Sequence, residues 1–402
     1  MLVVYHSIVV VSLISVITAS DQYLQNADLP TLFHEISTTR QECFAECTKL
    51  KPAGPHGFEC LQAKYESARS VCVLFLDKNE CVNGTNQCQE TCVNTVGSYR
   101  CMGSSGLLLD PDRIPSTFGG GTFTNLGTTG RDGPTSVGSH YDGTGLQGLV
   151  TVTNGTQYIT IPSNGTYRIE AAGAAGGCDS SGCTYRSYGA YVVGDFTLYA
   201  GDQLKILVGQ MGGENSHSSS GGGGGTFLTY ADNTPIIIAG GGGGIEGATK
   251  RRAACGGTTN TTGNSGYSSS TIWPGGSNGE GASTADTGNS GGGGGGLLTN
   301  GRSSTEFGGS YGTGGEGGFA FVNGGTGGRP KSYLGWGGFG GGAGAYGFGG
   351  GAGGGGGYSG GASGDNSVNS CGGGGGSYNA GDNASGQDDY NNGHGYLIIT
   401  RI

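Results

Sequence analysis

The feature that most constrains this chain is a set of uninterrupted glycine runs. Five of them, at residues 221–225, 240–244, 291–296, 353–357 and 372–376, punctuate its C-terminal part. Of 94 glycines only six precede Phe118, so 88 fall in the last 285 residues, close to one in three. No ordinary globular domain has that composition. Three physical solutions compete. Collagen needs glycine at every third position with proline between, because only glycine fits the axis of the triple helix. Here glycine comes in blocks and the chain has 10 prolines, which excludes it. A Gly/Ser tether is the plain alternative, since glycine loses the most conformational entropy on ordering. The third solution is a bundle of extended threefold glycine helices, in which missing Cβ atoms let neighbours approach and pair N–H with C=O.

The placement of the runs favours order. Run 221–225 feeds into Thr226-Phe-Leu-Thr-Tyr230, run 240–244 follows Pro235-Ile-Ile-Ile-Ala239, and run 372–376 leads to Ser377-Tyr-Asn379. A tether has no need of strands so placed. Tyr167, Ile169 and Ala171 alternate with Arg168 and Glu170, the period of a half-buried strand. Further strands are expected at 158–161, 196–199, 204–208, 319–322 and 396–401. The fold class read from this is mostly β, with a sandwich or jelly roll supporting the glycine excursions.

Four blocks, Thr166-Tyr-Arg-Ile-Glu-Ala-Ala-Gly-Ala-Ala-Gly-Gly177, Leu204-Lys-Ile-Leu-Val-Gly-Gln-Met-Gly-Gly213, Ile236-Ile-Ile-Ala-Gly-Gly-Gly-Gly-Gly244 and Gly393-His-Gly-Tyr-Leu-Ile-Ile399, carry a resemblance. In kind and order they resemble the glycine-rich extracellular domain of anaplastic lymphoma kinase and leukocyte tyrosine kinase, over roughly 70% of the chain. The resemblance implies a tumour-necrosis-factor-like β-sandwich (jelly roll) with an inserted bundle of polyglycine II helices across residues 115–402. It also implies a small basic helical cytokine as the ligand class.

Residues 1–20 are apolar and end in Thr18-Ala-Ser20 before Asp21, which reads as a secretory signal peptide without the usual basic lead. No later segment reaches the roughly 18 apolar residues of a spanning helix, so the expected product is secreted and extracellular. Twelve cysteines agree with an oxidising compartment and form three groups of four. The first is Cys43, Cys47, Cys60 and Cys72, with Cys43 and Cys47 one helical turn apart and strands expected around Cys60 and Cys72. Four cysteines allow three connectivities, and zinc held by four thiolates competes less well in a secreted chain. The pattern resembles the helix-and-hairpin centre of a PAN or apple module at 21–76. That resemblance implies the pairs Cys47–Cys60 and Cys43–Cys72.

The second group, Cys81, Cys88, Cys92 and Cys101, follows Asp77-Lys-Asn-Glu80 and encloses Asn94, Thr95, Ser98 and Tyr99. It resembles a calcium-binding EGF-like module at 77–114. Calcium takes six to eight oxygens, which gives the acidic lead-in a chemical reason. Carried over by position, Asp77, Glu80 and Asn94 would supply side-chain oxygens and Lys78, Thr95 and Ser98 backbone carbonyls, while Tyr99 would pack on the next module. The chain departs from the family at Gly103, where a fifth cysteine is expected, and no sixth occurs before Cys178. Both partners of one disulfide are missing together, whereas Gly106, Leu109 and Asp110 keep the pattern of the last hairpin.

In the glycine-rich part Cys178 and Cys183 enclose a four-residue turn and are expected to pair, leaving Cys255 with Cys371. Five Asn-x-Ser/Thr sequons, at Asn83, Asn154, Asn164, Asn260 and Asn383, mark glycosylation candidates in a secreted chain. Catalytic motifs carry no weight against this composition. Gly357-Tyr-Ser-Gly-Gly361 fits a nucleophile elbow, but so does chance at this glycine content. His140, His217 and His394 show no acid or nucleophile partner in sequence, and Lys250-Arg-Arg252 reads as a solvated loop charge ahead of a processing or contact site. Tyr311, Phe339, Tyr346, Phe348 and Tyr358 either flank the glycine helices or form an adhesive surface.

A net charge of −10 argues against a nucleic-acid partner and suits a basic protein ligand. Two functions survive. One is a non-catalytic extracellular binding protein, receptor-ectodomain-like, that recognises a protein ligand. The other is a structural or adhesive matrix or mucus protein that self-associates through its glycine bundle. No Val-Ala-Ile-Lys, His-Arg-Asp or Asp-Phe-Gly set occurs, so a kinase is expected only beyond residue 402.

Overall fold

The computed structural model describes residues 118–285, 288–310 and 312–402, together with the backbone of six strands between Leu32 and Leu109. The chain divides into two units, Met1–Arg113 and Ile114–Ile402. In the first, β1 (Leu32–Ser37), β2 (Phe58–Glu66) and β3 (Val71–Lys78) form an antiparallel sheet with β3 in the centre. The expected module boundary at residue 77 therefore falls inside a strand. A second small sheet holds β4 (Thr91–Thr95), β5 (Ser98–Met102) and β6 (Leu108–Leu109) in that order. The signal peptide, the helix expected at Cys43 and Cys47, and Glu80, Cys81, Asn83, Cys88 and Tyr311 lie outside the described residues.

The regular elements of the second unit are strands apart from three short 3-10 turns, and between them lie long stretches without regular secondary structure. Its strands are β7 (Gly120–Phe123), β8 (Val150–Thr153), β9 (Thr156–Thr160), β10 (Gly165–Ala172), β11 (Gly189–Leu198), β12 (Gln203–Leu207), β13 (Thr226–Tyr230) and β14 (Pro235–Ala239). After these come the two-residue strands β15 (Ile245–Glu246), β16 (Asn289–Ser290), β17 (Thr313–Gly314), β18 (Ser370–Cys371) and β19 (Tyr378–Asn379), then β20 (Asp382–Asn391) and β21 (Tyr396–Arg401). They build a five-stranded sheet, β20-β11-β10-β21-β7, and a six-stranded sheet, β19-β14-β13-β12-β9-β8, antiparallel throughout. Asn154 and Gly155, both at positive φ, make the two-residue turn that joins β8 to β9, the geometry that matches strand twist.

Alternation decides which side chains meet between the sheets. Tyr167, Ile169 and Ala171 of β10, Leu204 and Ile206 of β12, and Leu397 and Ile399 of β21 share one buried core. The six-stranded sheet is covered on its other face as well. There Leu207, Phe227 and Ile238 pack against Leu297, Phe321 and Phe339 from the glycine-rich segment. Burial on both faces explains why Pro235-Ile-Ile-Ile-Ala239 has no polar alternate.

The glycine runs bond to one another and to neighbouring segments in a regular arrangement. Each N–H of the five runs donates to a segment other than its own run. Donors three residues apart reach the same partner: Gly241 and Gly244 donate to Gly356 and Gly353, Gly375 and Gly372 donate back to Gly241 and Gly244, and Gly292 and Gly295 donate to Gly344 and Gly341. None of the glycines within the five runs has φ in the left-handed region. Glycine is needed here for close approach: a Cβ on Gly222 would collide with the Gly354 carbonyl, one on Gly224 with that of Phe339, and one on Gly356 with that of Gly340.

Cys178 is bonded to Cys183 across a local turn and Cys255 to Cys371 across 116 residues, with Cα atoms 4.6 and 5.9 Å apart. The long bridge lies beside the β15–β18 pair, in a small cluster with Ile245 and Ala248. The strand expected at 319–322 is absent. Phe321–Asn323 is a short 3-10 turn whose Phe321 and Val322 N–H groups donate to Gly296 and Leu297. Its apolar residues have the composition of a strand, but Phe321 and Val322 bond the end of a glycine run instead.

Candidate functional site

The outer face of the five-stranded sheet gathers the chemistry. On β10 the alternation that buries Ile169 turns Arg168 and Glu170 outward. Glu170 is in register with Val193 on β11 and Ile398 on β21, and the next row sets Tyr191 and Tyr396 on either side of Ala172. Tyr191 donates its hydroxyl to Glu170 at 2.6 Å. Tyr390, at the end of β20 and 47% exposed, tilts against Tyr191 with ring centroids 5.1 Å apart. Burial, then the Glu170 hydrogen bond, pushes the Tyr191 hydroxyl well above its ordinary range. Tyr396 is raised too, first by burial and then by the Tyr390 and Glu170 charges.

One residue pair along, Arg168 binds Asp195 through two bonds of 2.9 and 3.0 Å, and Asn383 donates to the same carboxylate. The Arg168 hydrogen bond, followed by that of Asn383, holds the Asp195 carboxyl below its usual range. The face thus presents one carboxylate framed by three tyrosines, with its nearest arginine already committed. Such a surface suits a cation: tyrosine rings attract it, and Glu170 supplies the counter-charge.

The edge strand β20 is exposed along nearly its whole length. Its acidic end is held by a neighbouring loop, with Thr259 N–H and hydroxyl donating to Asp388 and Tyr188 N–H donating to Asp389. Arg251 also pairs with Asp389 at 2.6 Å and lies 3.6 Å from the Tyr188 ring centre, while Arg252 sits over Tyr267 at 3.3 Å. The two arginines of Lys250-Arg-Arg252 thus keep contact with solvent while each also has a partner in the fold.

Of the aromatic residues singled out by sequence, Phe339 is core, Tyr346 lies under Lys331, and Tyr358 packs on Tyr378. Phe348 is exposed and belongs to a second surface group, where His217 stacks on Tyr333 at 4.3 Å and Tyr333 meets Phe348 at 5.6 Å. Tyr333 adopts φ 59°, a conformation costly for a bulky side chain. Behind that group is Glu246, 6% exposed, whose two oxygens are 2.8 and 2.9 Å from the Ser218 hydroxyl, which itself accepts Gly349 N–H. Burial pushes Glu246 up to about 7, with the charge of Asp179 adding to it, and burial raises Asp179 as well.

The backbone places the other residues expected from sequence. Asp77 and Lys78 end β3, and Asn94 and Thr95 of β4 stand opposite Tyr99 and Ser98 of β5. Cys92 is opposite Cys101, and β6 continues the hairpin beside Cys101 and Met102 in spite of the missing cysteines. Asn154, Asn164, Asn260 and Asn383 are all exposed. His140 and His217 are at the surface, whereas His394 is half-buried. Among the described residues no helix is long and apolar enough to cross a membrane.

The Glu170–Tyr191–Tyr390–Tyr396 face is not evident from sequence alone. Alternation along β10 and β21 carried part of the signal, since it turns Glu170 and Tyr396 outward. Nothing local marked Tyr390. Comparison with known proteins adds two findings. Residues 77–112 match the calcium-binding EGF domain family. The mouse (Mus musculus) leukocyte tyrosine kinase receptor is 36% identical over 112 residues, which is 26% of this chain and 13% of that receptor. The chain therefore matches only a small part of that relative's length, and carries an EGF-type module together with a stretch similar to a receptor tyrosine kinase, as fits an extracellular, receptor-like role.

Proposed function

We propose that this chain is a non-catalytic extracellular binding protein, resembling a receptor ectodomain, that recognises a protein ligand with basic groups through its glycine-rich domain. The observation that carries this reading is the open sheet face on which Tyr191, Tyr390 and Tyr396 surround Glu170. Tyrosine-rich, partly desolvated patches are where interface energy concentrates, and a single carboxylate at the centre selects a cation. In this reading the two sheets are the tumour-necrosis-factor-like sandwich, and the runs with threefold hydrogen bonding are polyglycine II helices. The bundle is the rigid backing for the binding face. A kinase would lie outside this chain.

The EGF-type module would bind calcium through Asp77, Glu80 and Asn94 with carbonyls of Lys78, Thr95 and Ser98. The donor set fits a hard cation, and the β4–β5 hairpin brings Asn94, Thr95 and Ser98 together. Calorimetry on the secreted protein should show calcium uptake that Asp77→Ala removes. The ligand reading is tested by screening secreted basic proteins for binding by interferometry. Glu170→Ala and Tyr390→Ala should each weaken a captured ligand by at least about tenfold, a loss of ~1.4 kcal/mol. A ligand that binds both variants as well as the parent would remove this face from the proposal. The exposed His217–Tyr333–Phe348 group favours the alternative, self-association. Light scattering over a concentration series separates the two: a monodisperse monomer supports ligand recognition, and open-ended growth supports a matrix role.

A further inference from the structure

Arg186 of the glycine-rich domain is a half-buried arginine with no salt-bridged carboxylate among the described residues. Arg131, Arg168, Arg251 and Arg329 each pair with a carboxylate. Arg186, on the loop after the Cys178–Cys183 bridge, pairs with none. Its Nη2 lies 2.9 Å from the Met211 sulfur, a weak acceptor, and its buried Nε has no partner. The same methionine fixes a second donor. Met211 N–H donates to His394 Nδ1 at 3.1 Å, so the neutral ring carries its proton on Nε2.

Burial is the first influence on both groups. Burial lowers Arg186, and the more distant Glu214 and Tyr188 only partly oppose it. His394 is lowered by burial and then by the Arg186 charge. A desolvated guanidinium without a counter-ion is costly, and a planar carboxylate is the group whose geometry matches it.

We infer that Arg186 and His394 form a binding site for a single carboxylate, supplied by an acidic side chain of a protein partner. A polyanion is disfavoured, because the site has one cation in place of an array and the chain carries a net charge of −10. His394 lies in the turn between β20 and β21, the strands that carry Tyr390 and Tyr396. The inference therefore rests on the protein-binding reading and extends it: the partner presents a basic group to the Glu170 face and an acidic group beside it.

Acetate is a suitable probe. Full-length protein labelled at arginine and histidine is titrated with sodium acetate and followed by nuclear magnetic resonance, with sodium chloride as the ionic-strength control. Saturable shifts of the Arg186 Nε–H and His394 ring signals are expected, with a dissociation constant on the order of 10 mM. Arg186→Gln should weaken the His394 response about tenfold or more. If Arg186→Gln does not fold, His394→Gln serves instead, and the acetate affinity read at Arg186 should fall. Shifts that are linear and match chloride overturn the site, as does a saturable response that either substitution leaves unchanged. Failure here leaves ligand binding through Glu170 intact. Loss of ligand binding at Glu170 likewise leaves the acetate response untouched.

Discussion

Glu246 shows how a buried carboxylate without a cation makes stability depend on pH. Its neighbours are the Ser218 hydroxyl, which supports the charged form, and Asp179, which opposes it. Burial, with Asp179 adding to it, outweighs the hydroxyl and moves the group from 4.5 to about 7. The folded state then holds a proton that the unfolded chain has released, so stability is greatest below about pH 4.5 and falls until pH 7. The span corresponds to about 3 kcal/mol at most, and Asp179 acts in the same direction. Denaturation curves across that range should show the decline, and Glu246→Gln should flatten it. A run glycine behaves differently, because its role is steric. Gly356→Ala should lower stability by roughly 1–3 kcal/mol, read from thermal unfolding, since its Cβ meets the carbonyl of Gly340. That steric role was legible in the sequence as blocks of glycine. The fate of Arg251 and Arg252 was not, because Tyr188, Tyr267 and Asp389 reach them only through folding.

At the scale of strands, sequence worked where one face is buried. Alternation identified β10, β12 and β21, and a short apolar block identified β14. It failed where backbone pairing alone makes the strand. β20 reads Asp-Asn-Ala-Ser-Gly-Gln-Asp-Asp-Tyr-Asn, with no apolar period, and exists because β11 offers it an edge. It failed in the opposite sense at Phe319-Ala-Phe-Val322, where apolar residues cap a glycine run. The Glu170 face was half legible for the same reason, its β10 and β21 members following alternation and Tyr390 belonging to the silent strand. The bridge from Cys255 to Cys371 closes 116 residues between glycine runs. Replacing both cysteines with alanine should cost roughly 4 kcal/mol in the loop-entropy account. Chemical denaturation of that variant against the parent measures it, and a loss near zero would mean the backbone bonds alone fix the bundle.

For the glycine-rich unit as a whole, the hydrogen-bond pattern predicts slow amide exchange across residues 212–392, wherever run glycines donate to other runs. Exchange at random-coil rates there would falsify the ordered bundle and with it the rigid backing for the binding face. Because Gly222, Gly224 and Gly356 are pressed against carbonyl oxygens, the gene that encodes them has little room to drift. Every amino-acid change reachable from a glycine codon adds atoms, and at these codons there is no volume to receive them. Inherited variation should therefore gather in the loops and on the outer sheet, leaving the central lattice nearly monomorphic while the surface that meets other molecules diversifies.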